Sequence, residues 1–472
     1  MLESGALLCF VRFFLRKCKF SCYFLYFCAY GNIENQILMA SAPRFLILAV
    51  ASFFTAVSAV SQEASGWTLQ SCIDYALENN SDIQLSKVDK QVADVELKSA
   101  KGTWLPSLSF SSNQSFGNHP YGDPENSYSG SYNLSANWTV FDGSRTSAID
   151  IAKVSQQSAN ESFAQSKNSV IQDVLNIYIQ ILYCDEAVKI QQNALTTLEA
   201  QRDRSKGLYK AGSISISDYA QVEAQYSAQN YSVISAQNSA RDYRMQLCQL
   251  MGIPVDLSLN IVAATYDSSA VLAAIPDYMM VYQSALSVRP EVKSRELAIE
   301  SADYGIKSAR AGYYPTLSMG ASVGTANGEK SSLSFVDQVK NNWSNSVGMS
   351  LNVPILTGRK NKSALEKAKL RKSSSEIELQ NAKDQLLWTI ERIWLNAINA
   401  QTNYKAAKAK VKAVEQSYEL VSKQFEVGLK NPTDLLAQKD ELLSAQQALL
   451  QSKYTAIYNI NLLRFYAGES FL

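Results

Sequence analysis

Polar and apolar positions alternate most cleanly between Ser127 and Phe141. Tyr128, Gly130, Tyr132, Leu134, Ala136, Trp138 and Val140 fall on one side, and Ser129, Ser131, Asn133, Ser135, Asn137 and Thr139 on the other. A period of two predicts a strand with one apolar and one polar face. The pattern returns where Leu317, Met319, Ala321 and Val323 oppose Ser318, Gly320 and Ser322. It returns again where Val347, Met349, Leu351, Val353 and Ile355 oppose Ser346, Gly348, Ser350 and Asn352. A Ser-rich alternating stretch, Leu105–Phe116, precedes the first of these. Turn-rich segments, Gly117–Ser127 and one beginning GTANGEKSS at Gly324, separate the paired strands. Two β-hairpins are predicted, over 105–141 and 314–356.

The period then changes. Residues 143–209 and 358–425 contain no proline and, inside their ends, no glycine except Gly207. In the second stretch Leu386, Ile390, Ile393, Ala397, Ala400, Tyr404, Ala407, Val411, Val414, Tyr418, Val421 and Phe425 recur at spacings of four and three. Val170, Val174, Ile177, Ile181, Cys184 and Val188 do the same in the first. This is a heptad seam. About 67 residues of helix at ~1.5 Å each extend roughly 100 Å, more than a globular domain holds, so an elongated molecule is expected. The chain turns at 210–217 and 426–433. Helix resumes at Asp218 and Asp434, residues suited to capping, and runs over 218–250 and 434–467. Residues 218–250 and 301–313 with the turn preceding them, laid end to end, roughly match one long helix in length. Each half is expected to pack one long helix on two shorter ones.

These elements are spelled twice. ALENNSDI at Ala76 matches ALSVRPEV at Ala285, and SAKGTWLPSLSF at Ser99 matches SARAGYYPTLSM at Ser308, both 209 residues apart. SANWTVFDG at Ser135 matches SLNVPILTG at Ser350, 215 apart. YKAGSISISD at Tyr209 matches FEVGLKNPTD at Phe425, 216 apart. The order holds and one loop is longer, so the chain reads as a tandem duplication, 60–270 and 271–472. Pro106 and Pro315 mark the change from helix to strand, and Gly143 and Gly358 the change back.

Residues 39–59 have a short basic start at Arg44, an apolar run from Phe45 to Val57 and a small-residue exit, which is the layout of a secretory signal peptide cut near Ala59. Residues 1–38 fit nothing downstream. An upstream extension from a wrongly chosen start codon is the preferred reading, and a long signal segment the alternative. The chain has 44 basic and 43 acidic residues and a net charge of +1. Losing five basic and two acidic residues with the leader brings that to about −2, and no basic patch suggests nucleic acid. Export implies an oxidising compartment. The mature chain keeps Cys72, Cys184 and Cys248, an odd number on helical segments, which argues against a disulfide framework. The single histidine, His119, sits in a loop. No phosphate loop, Ser/His/Asp set or metal-spaced cluster appears, so no enzyme, cofactor or metal is expected.

A small soluble sheet explains the hairpins poorly. Fourteen or so alternating residues exceed the usual strand of five or six and suffice to cross a bilayer. A leader without a membrane helix, followed by Ser/Asn/Thr-faced strands, points to an outer-membrane barrel with its apolar face to lipid. Four strands cannot close, and open edges are not tolerated in lipid, so copies must share the barrel. The duplicated helix–hairpin–long helix–turn–helix plan, with its F-D-G and L-T-G strand exits and its Y-K-A-G and F-E-V-G turns, resembles the TolC-like outer-membrane efflux proteins over residues 67–465. The resemblance implies a mainly α fold with a membrane β-barrel contribution. It implies a homotrimer with a 12-stranded barrel in outer-membrane lipid and a periplasmic helical tunnel. It also implies a periplasmic adaptor (membrane fusion) protein and an inner-membrane pump of the RND or ABC type. By the same resemblance, Val427, Gly428 and Leu429, and the weaker Ala211, Gly212 and Ser213, form the adaptor-docking tip. Asp434 lines the pore entrance, Asp218 pairs with Lys430 to hold it closed, and Phe425 stands where a tyrosine is usual. A periplasmic coiled-coil adaptor or surface stalk is the alternative from another class, but it needs no bilayer-length hairpins.

Overall fold

The computed structural model describes residues 66–118, 120–121, 126–256, 259–262, 268–328 and 333–469. The predicted leader, the segment before it and His119 lie outside the described residues. The elements are α1 (Leu69–Asn79), α2 (Ser81–Gly102), β1 (Ser107–Asn118), β2 (Asn126–Phe141), α3 (Gly143–Lys210), α4 (Ile216–Met251) and α5 (Ser268–Val271). They continue with α6 (Tyr278–Val288), α7 (Pro290–Ala311), β3 (Thr316–Gly328), α8 (Phe335–Asn341), β4 (Ser344–Asn352), α9 (Lys360–Glu426) and α10 (Pro432–Ala467).

The four strands form one antiparallel sheet in the order β1-β2-β3-β4. Its register sets like against like. Leu108 faces Ala136, Phe110 faces Leu134, Trp138 faces Met319, and Leu317 and Met319 face Leu351 and Met349. Ser109, Ser135, Ser322 and Ser346 line up on the other side. Hydroxyl pairs bind them there, Ser109 with Ser135 at 2.9 Å and Ser322 with Ser346 at 2.8 Å. Gly130 interrupts the apolar row because a Cβ there would collide with Asn327 Oδ1 and Gln114 Oε1. A register shift between Thr139 and Phe141 takes Val140 out of the ladder. Strand β4 stops at Asn352, short of the expected Ile355, because Pro354 has no N–H for the ladder. The longer loop of the second copy contains α8, which the pattern did not reveal. Gln338 anchors it by accepting the Gly328 N–H at 2.7 Å.

Pro106 and Pro315 each stand one residue before a strand. Ahead of them the helices unwind through Leu105 N–H to Gly102 O (2.9 Å) and Tyr314 N–H to Ala311 O (2.9 Å). Gly143 opens α3, capped by Asp142, whose Oδ1 accepts the Ser144 N–H at 2.8 Å. In the second copy Gly358 and Arg359 both have positive φ, and the helix starts two residues after Gly358.

Helix α3 packs along α4, α7 and α2, and α9 along α10 and α7. This gives each long helix shorter partners, with α7 beginning at Pro290, earlier than 301. The heptad seam is buried where the packing is deepest, at Val174, Ile181, Ile390, Ala397 and Tyr404. The largest core draws on both copies: Tyr178, Leu247 and Met251 from the first, Ala400, Tyr454 and Ile457 from the second. Helix α1, absent from the sequence expectation, is pinned into that core by Cys72, Ile73 and Ala76. Asn80 ends α1 and starts α2, accepting the N–H groups of Asp82 (2.8 Å) and Ile83 (3.3 Å). Cys72, Cys184 and Cys248 are free and buried. Burial pushes the Cys72 thiol up to about 12 and the Cys184 thiol to about 11, so both stay protonated and unreactive.

Candidate functional site

The two tips share one backbone design. At the first, Gly212 N–H donates to Tyr209 O (3.0 Å) and Ser213 N–H to Leu208 O (2.9 Å). At the second, Gly428 N–H donates to Phe425 O (3.1 Å) and Leu429 N–H to Gln424 O (2.9 Å). Both are Schellman C-caps, which need a left-handed residue. Gly212 and Gly428 supply it at φ 73° and 76°. A Cβ on either would meet nothing within 4 Å, so the requirement lies in the backbone alone. The exposed side chains differ. Val427 and Leu429 stand 72% and 76% exposed and flank Gly428 with bare apolar surface. Ala211 and Ser213, also exposed, flank Gly212 with almost none.

Asp218 and Asp434 are not the caps. Each is the third residue of its helix, and the caps are Ser215 and Asn431. Ser215 Oγ accepts the Asp218 N–H (3.1 Å), and Asp218 Oδ2 receives the Ser215 hydroxyl (2.8 Å) and N–H (3.3 Å), a reciprocal capping box. Asn431 Oδ1 accepts the Asp434 N–H at 2.7 Å. Lys430 Nζ lies 3.4 Å from Asp434 Oδ2. The pairing of Asp218 with Lys430 is therefore not made within the chain, because each is engaged on its own turn. Phe425 is half-buried, with the Arg204 guanidinium 5.8 Å above its ring.

Behind the tips, polar links tie the two copies together. Gln225 Nε2 donates to both carboxylate oxygens of Asp440 (3.0 and 2.9 Å). Lys439 Nζ, nine-tenths buried, donates to Ala194 O at 2.9 Å. Burial lowers the Lys439 ammonium to about 8, with Asp440 opposing the shift. Sequence reasoning did not single these residues out. The signal was present at Lys439, which stands in the apolar row of Leu435, Leu436, Leu442 and Leu443.

At the other end the sheet has one bare apolar face. Leu108, Phe110, Leu134, Val347, Met349 and Leu351 are all exposed. Phe116 and Tyr128 are paired near one end of it. Trp138 and Trp104 are joined at the other by Trp138 Nε1–H to Trp104 O at 3.0 Å. The ten residue steps from Tyr128 to Trp138, at ~3.3 Å each and tilted ~40°, span about 25 Å, the height of the apolar band on a membrane barrel. Arg145, buried, stacks 4.7 Å from the Trp104 ring and donates to Thr139 O at 2.6 Å, fixing α3 to the sheet. Strands β1 and β4 leave free edges. Helix α2 presents an unfilled apolar row, Leu85, Val88, Val92 and Val95, on its exposed side. Among the described residues, no helix is long and apolar enough to cross a membrane, and no cluster suits a metal ion.

Known proteins share this plan. BepC, an outer membrane efflux protein of Brucella suis biovar 1, is 22% identical over 412 residues, 87% of this chain and 87% of that protein. The outer membrane protein TolC of Escherichia coli is 23% identical over 392 residues, covering 81% and 78%. The crystal structure of the CmeC outer membrane channel of Campylobacter jejuni superposes with a TM-score of 0.70 at 18% identity, over 85% of this chain and 86% of that one. The family model described as outer membrane efflux protein matches residues 72–253 and 281–469, one segment in each copy of the repeat, and the chain belongs to that family.

Proposed function

We infer that this protein is the outer-membrane exit duct of a tripartite efflux or type I secretion system. It conducts substrates passively from the periplasm to the exterior. The observation that carries the inference is the four-stranded sheet. It has a bilayer-height apolar face, a Ser/Asn/Thr face and two unpaired edges, and it continues into helices of roughly 100 Å. Unpaired edges in lipid require closure by further copies. Three copies give twelve strands, and the free α2 row meets a neighbouring copy in the helical part. Val427, Gly428 and Leu429 dock the periplasmic adaptor, with Ala211, Gly212 and Ser213 as the lesser contact. Asp434 lines the entrance. Energy comes from the inner-membrane pump.

The test is reconstitution. Protein extracted from outer membranes should cross-link as trimers and give discrete conductance in planar bilayers. Recovery as a soluble periplasmic protein without channel activity overturns the inference and favours a stalk or adaptor.

A further inference from the structure

Where β4 hands over to α9, the chain reads VPILTGRKNKSALEKAKLRK, residues 353–372. Asn352 is paired with Thr316, so this segment leaves the sheet at the end where Tyr313, Tyr314 and Pro315 enter it. Ile355 and Leu356 are each 93% exposed and directly follow the bare row of Val347, Met349 and Leu351. Next come Arg359, Lys360, Lys362, Lys367, Lys369 and Arg371, all exposed. None of the six has a carboxylate partner among the described residues, whereas Lys372 pairs with Asp303 at 2.8 Å. Glu366 is the one acid in the stretch.

Two features make this charge costly to the chain itself. Lys360 and Lys362 sit in the first turn of a helix, where the macrodipole repels them. Lys101 and Arg310, by contrast, lie in the last turns of α2 and α7, where it attracts them. Arg359 is also the only described non-glycine residue at positive φ, 67°, a conformation that disfavours a long side chain. The first copy shows that the fold does not demand it. Its corresponding junction, residues 138–157, has two cations, Arg145 and Lys153, balanced by Asp142 and Asp150, and Arg145 is turned inward onto Trp104.

We propose that residues 355–371 bind the anionic phospholipid headgroups of the leaflet facing the periplasm. Ile355 and Leu356 enter the acyl region, and Arg359, Lys360, Lys362, Lys367 and Lys369 engage lipid phosphates. The geometry sets the reach. Lys360, Lys362 and Lys367 fall within the first two turns of α9, a rise of about 10 Å along the helix, close to the screening length of about 8 Å at physiological salt. Each cation within that distance strengthens attachment to an anionic surface about fivefold. In a closed assembly every copy contributes one such segment, so the basic residues form a collar beneath the barrel. This rests on the outer-membrane placement proposed above.

The experiment uses the purified full-length assembly. Native mass spectrometry after mixing with equimolar phosphatidylglycerol and phosphatidylcholine should show phosphatidylglycerol retained at least tenfold in excess. The preference should fall in 0.5 M salt and resist millimolar inorganic phosphate. The variant K360Q/K362Q/K367Q/K369Q should lose it while keeping assembly and conductance. Should that variant not assemble, K360Q/K362Q should still reduce the preference several-fold. I355N/L356N should weaken retention of both lipids alike. Equal retention of the two lipids by the wild type, or an intact preference in the lysine variants, overturns the proposal. So does a change in ion selectivity without a change in lipid preference, which would place the cations in the lumen. Absence of conductance and of assembly would instead count against the duct itself.

Discussion

Asn80 and Arg289 stand 209 residues apart at the same place in the two copies. Each separates two helices, α1 from α2 and α6 from α7, and each is buried. Each also reaches the last helix of its own copy, Asn80 Nδ2 donating to Leu250 O at 2.9 Å and Arg289 to Phe465 O at 2.9 Å. The chemistry differs. Asn80 caps α2 with the same side chain. Arg289 makes no side-chain cap, and Pro290, which lacks an N–H, opens α7 instead. The guanidinium lies 4.4 Å from the Phe465 ring and 3.9 Å from the Tyr466 ring. Burial lowers its pKa, with Tyr466 and Glu291 opposing the shift. The tips repeat the lesson, with one Schellman turn used twice and apolar flanks only at the second. Duplication kept what the backbone demands and released the side chains that no backbone bond fixes. Those released in the second copy gather at its exposed ends, the tip and the α9 junction.

The comparison breaks most visibly at the helix junctions. Arg289→Ala leaves a cavity between two rings and removes one of the two donors to Phe465 O, the Gly468 N–H remaining, costing about 3 kcal/mol. Asn80→Ala loses a cap and one buried hydrogen bond, about 2 kcal/mol. Urea unfolding followed by helical circular dichroism should rank them in that order. Equal losses would mean that the stacked rings contribute nothing beyond the shared bond. At the tips the expected difference lies in function. Gly212→Trp and Gly428→Trp pay the same strain at positive φ, about 1 kcal/mol, so that cost cancels between them. Gly428→Trp should weaken adaptor binding more than about tenfold, ~1.4 kcal/mol, and raise sensitivity to exported compounds, with trimers intact. Gly212→Trp should change binding by a few-fold at most. Equal effects would remove the special role of Val427 and Leu429.

The elements legible in the sequence were those whose periodicity is dictated by what lies on either side. Alternation in Tyr128–Trp138 and spacings of four and three in Leu386–Phe425 are consequences of two-sided environments. The elements that were missed are set by tertiary pairing. Helix α1 is short and is held by contacts to α3 and α4 rather than by its own pattern. Strand β4 lost Val353 and Ile355 to one missing N–H. The aspartates were placed as caps when S-x-x-D and N-x-x-D put them at the third position. The Asp218–Lys430 link was expected by analogy; within one chain each has a partner on its own turn. Lys439 was hidden because a lysine in an apolar row reads as an interruption until a carbonyl is found opposite it.

A smaller effect is expected at the two aspartates. Asp218 is consumed by its capping box, whereas Asp434 makes an exposed pair with Lys430, worth little to stability. In planar bilayers the proposed entrance role predicts that Asp434→Ala reduces cation preference by about twofold, through the loss of its charge. Asp218→Ala should leave ion preference unchanged and loosen the first tip. An unaltered ion preference in Asp434→Ala would remove Asp434 from the entrance.

The subtlest contrast is between Lys439 and its counterpart 216 residues earlier, Glu223. Glu223, half-buried, stays on its own helix and accepts the Tyr219 hydroxyl at 3.1 Å. Lys439 turns inward to Ala194 O, and burial lowers it from 10.5 to about 8. Between pH 8 and 10.5 the unfolded chain therefore binds a proton that the folded chain has released. Stability from this group rises with pH across that window and is flat below and above it. Tyr418, from the facing side of α9, has its pKa raised above 10.0 by burial and acts in the opposite direction at the upper end. The measurement is consequently a difference, wild type minus Lys439→Met, in unfolding free energy at pH 7 and pH 9.5. The methionine keeps the stem and removes the charge, so it should be the more stable at pH 7, with the gap narrowing by pH 9.5. A gap independent of pH would mean that Lys439 keeps its ordinary pKa and joins α10 to α3 as an ammonium throughout.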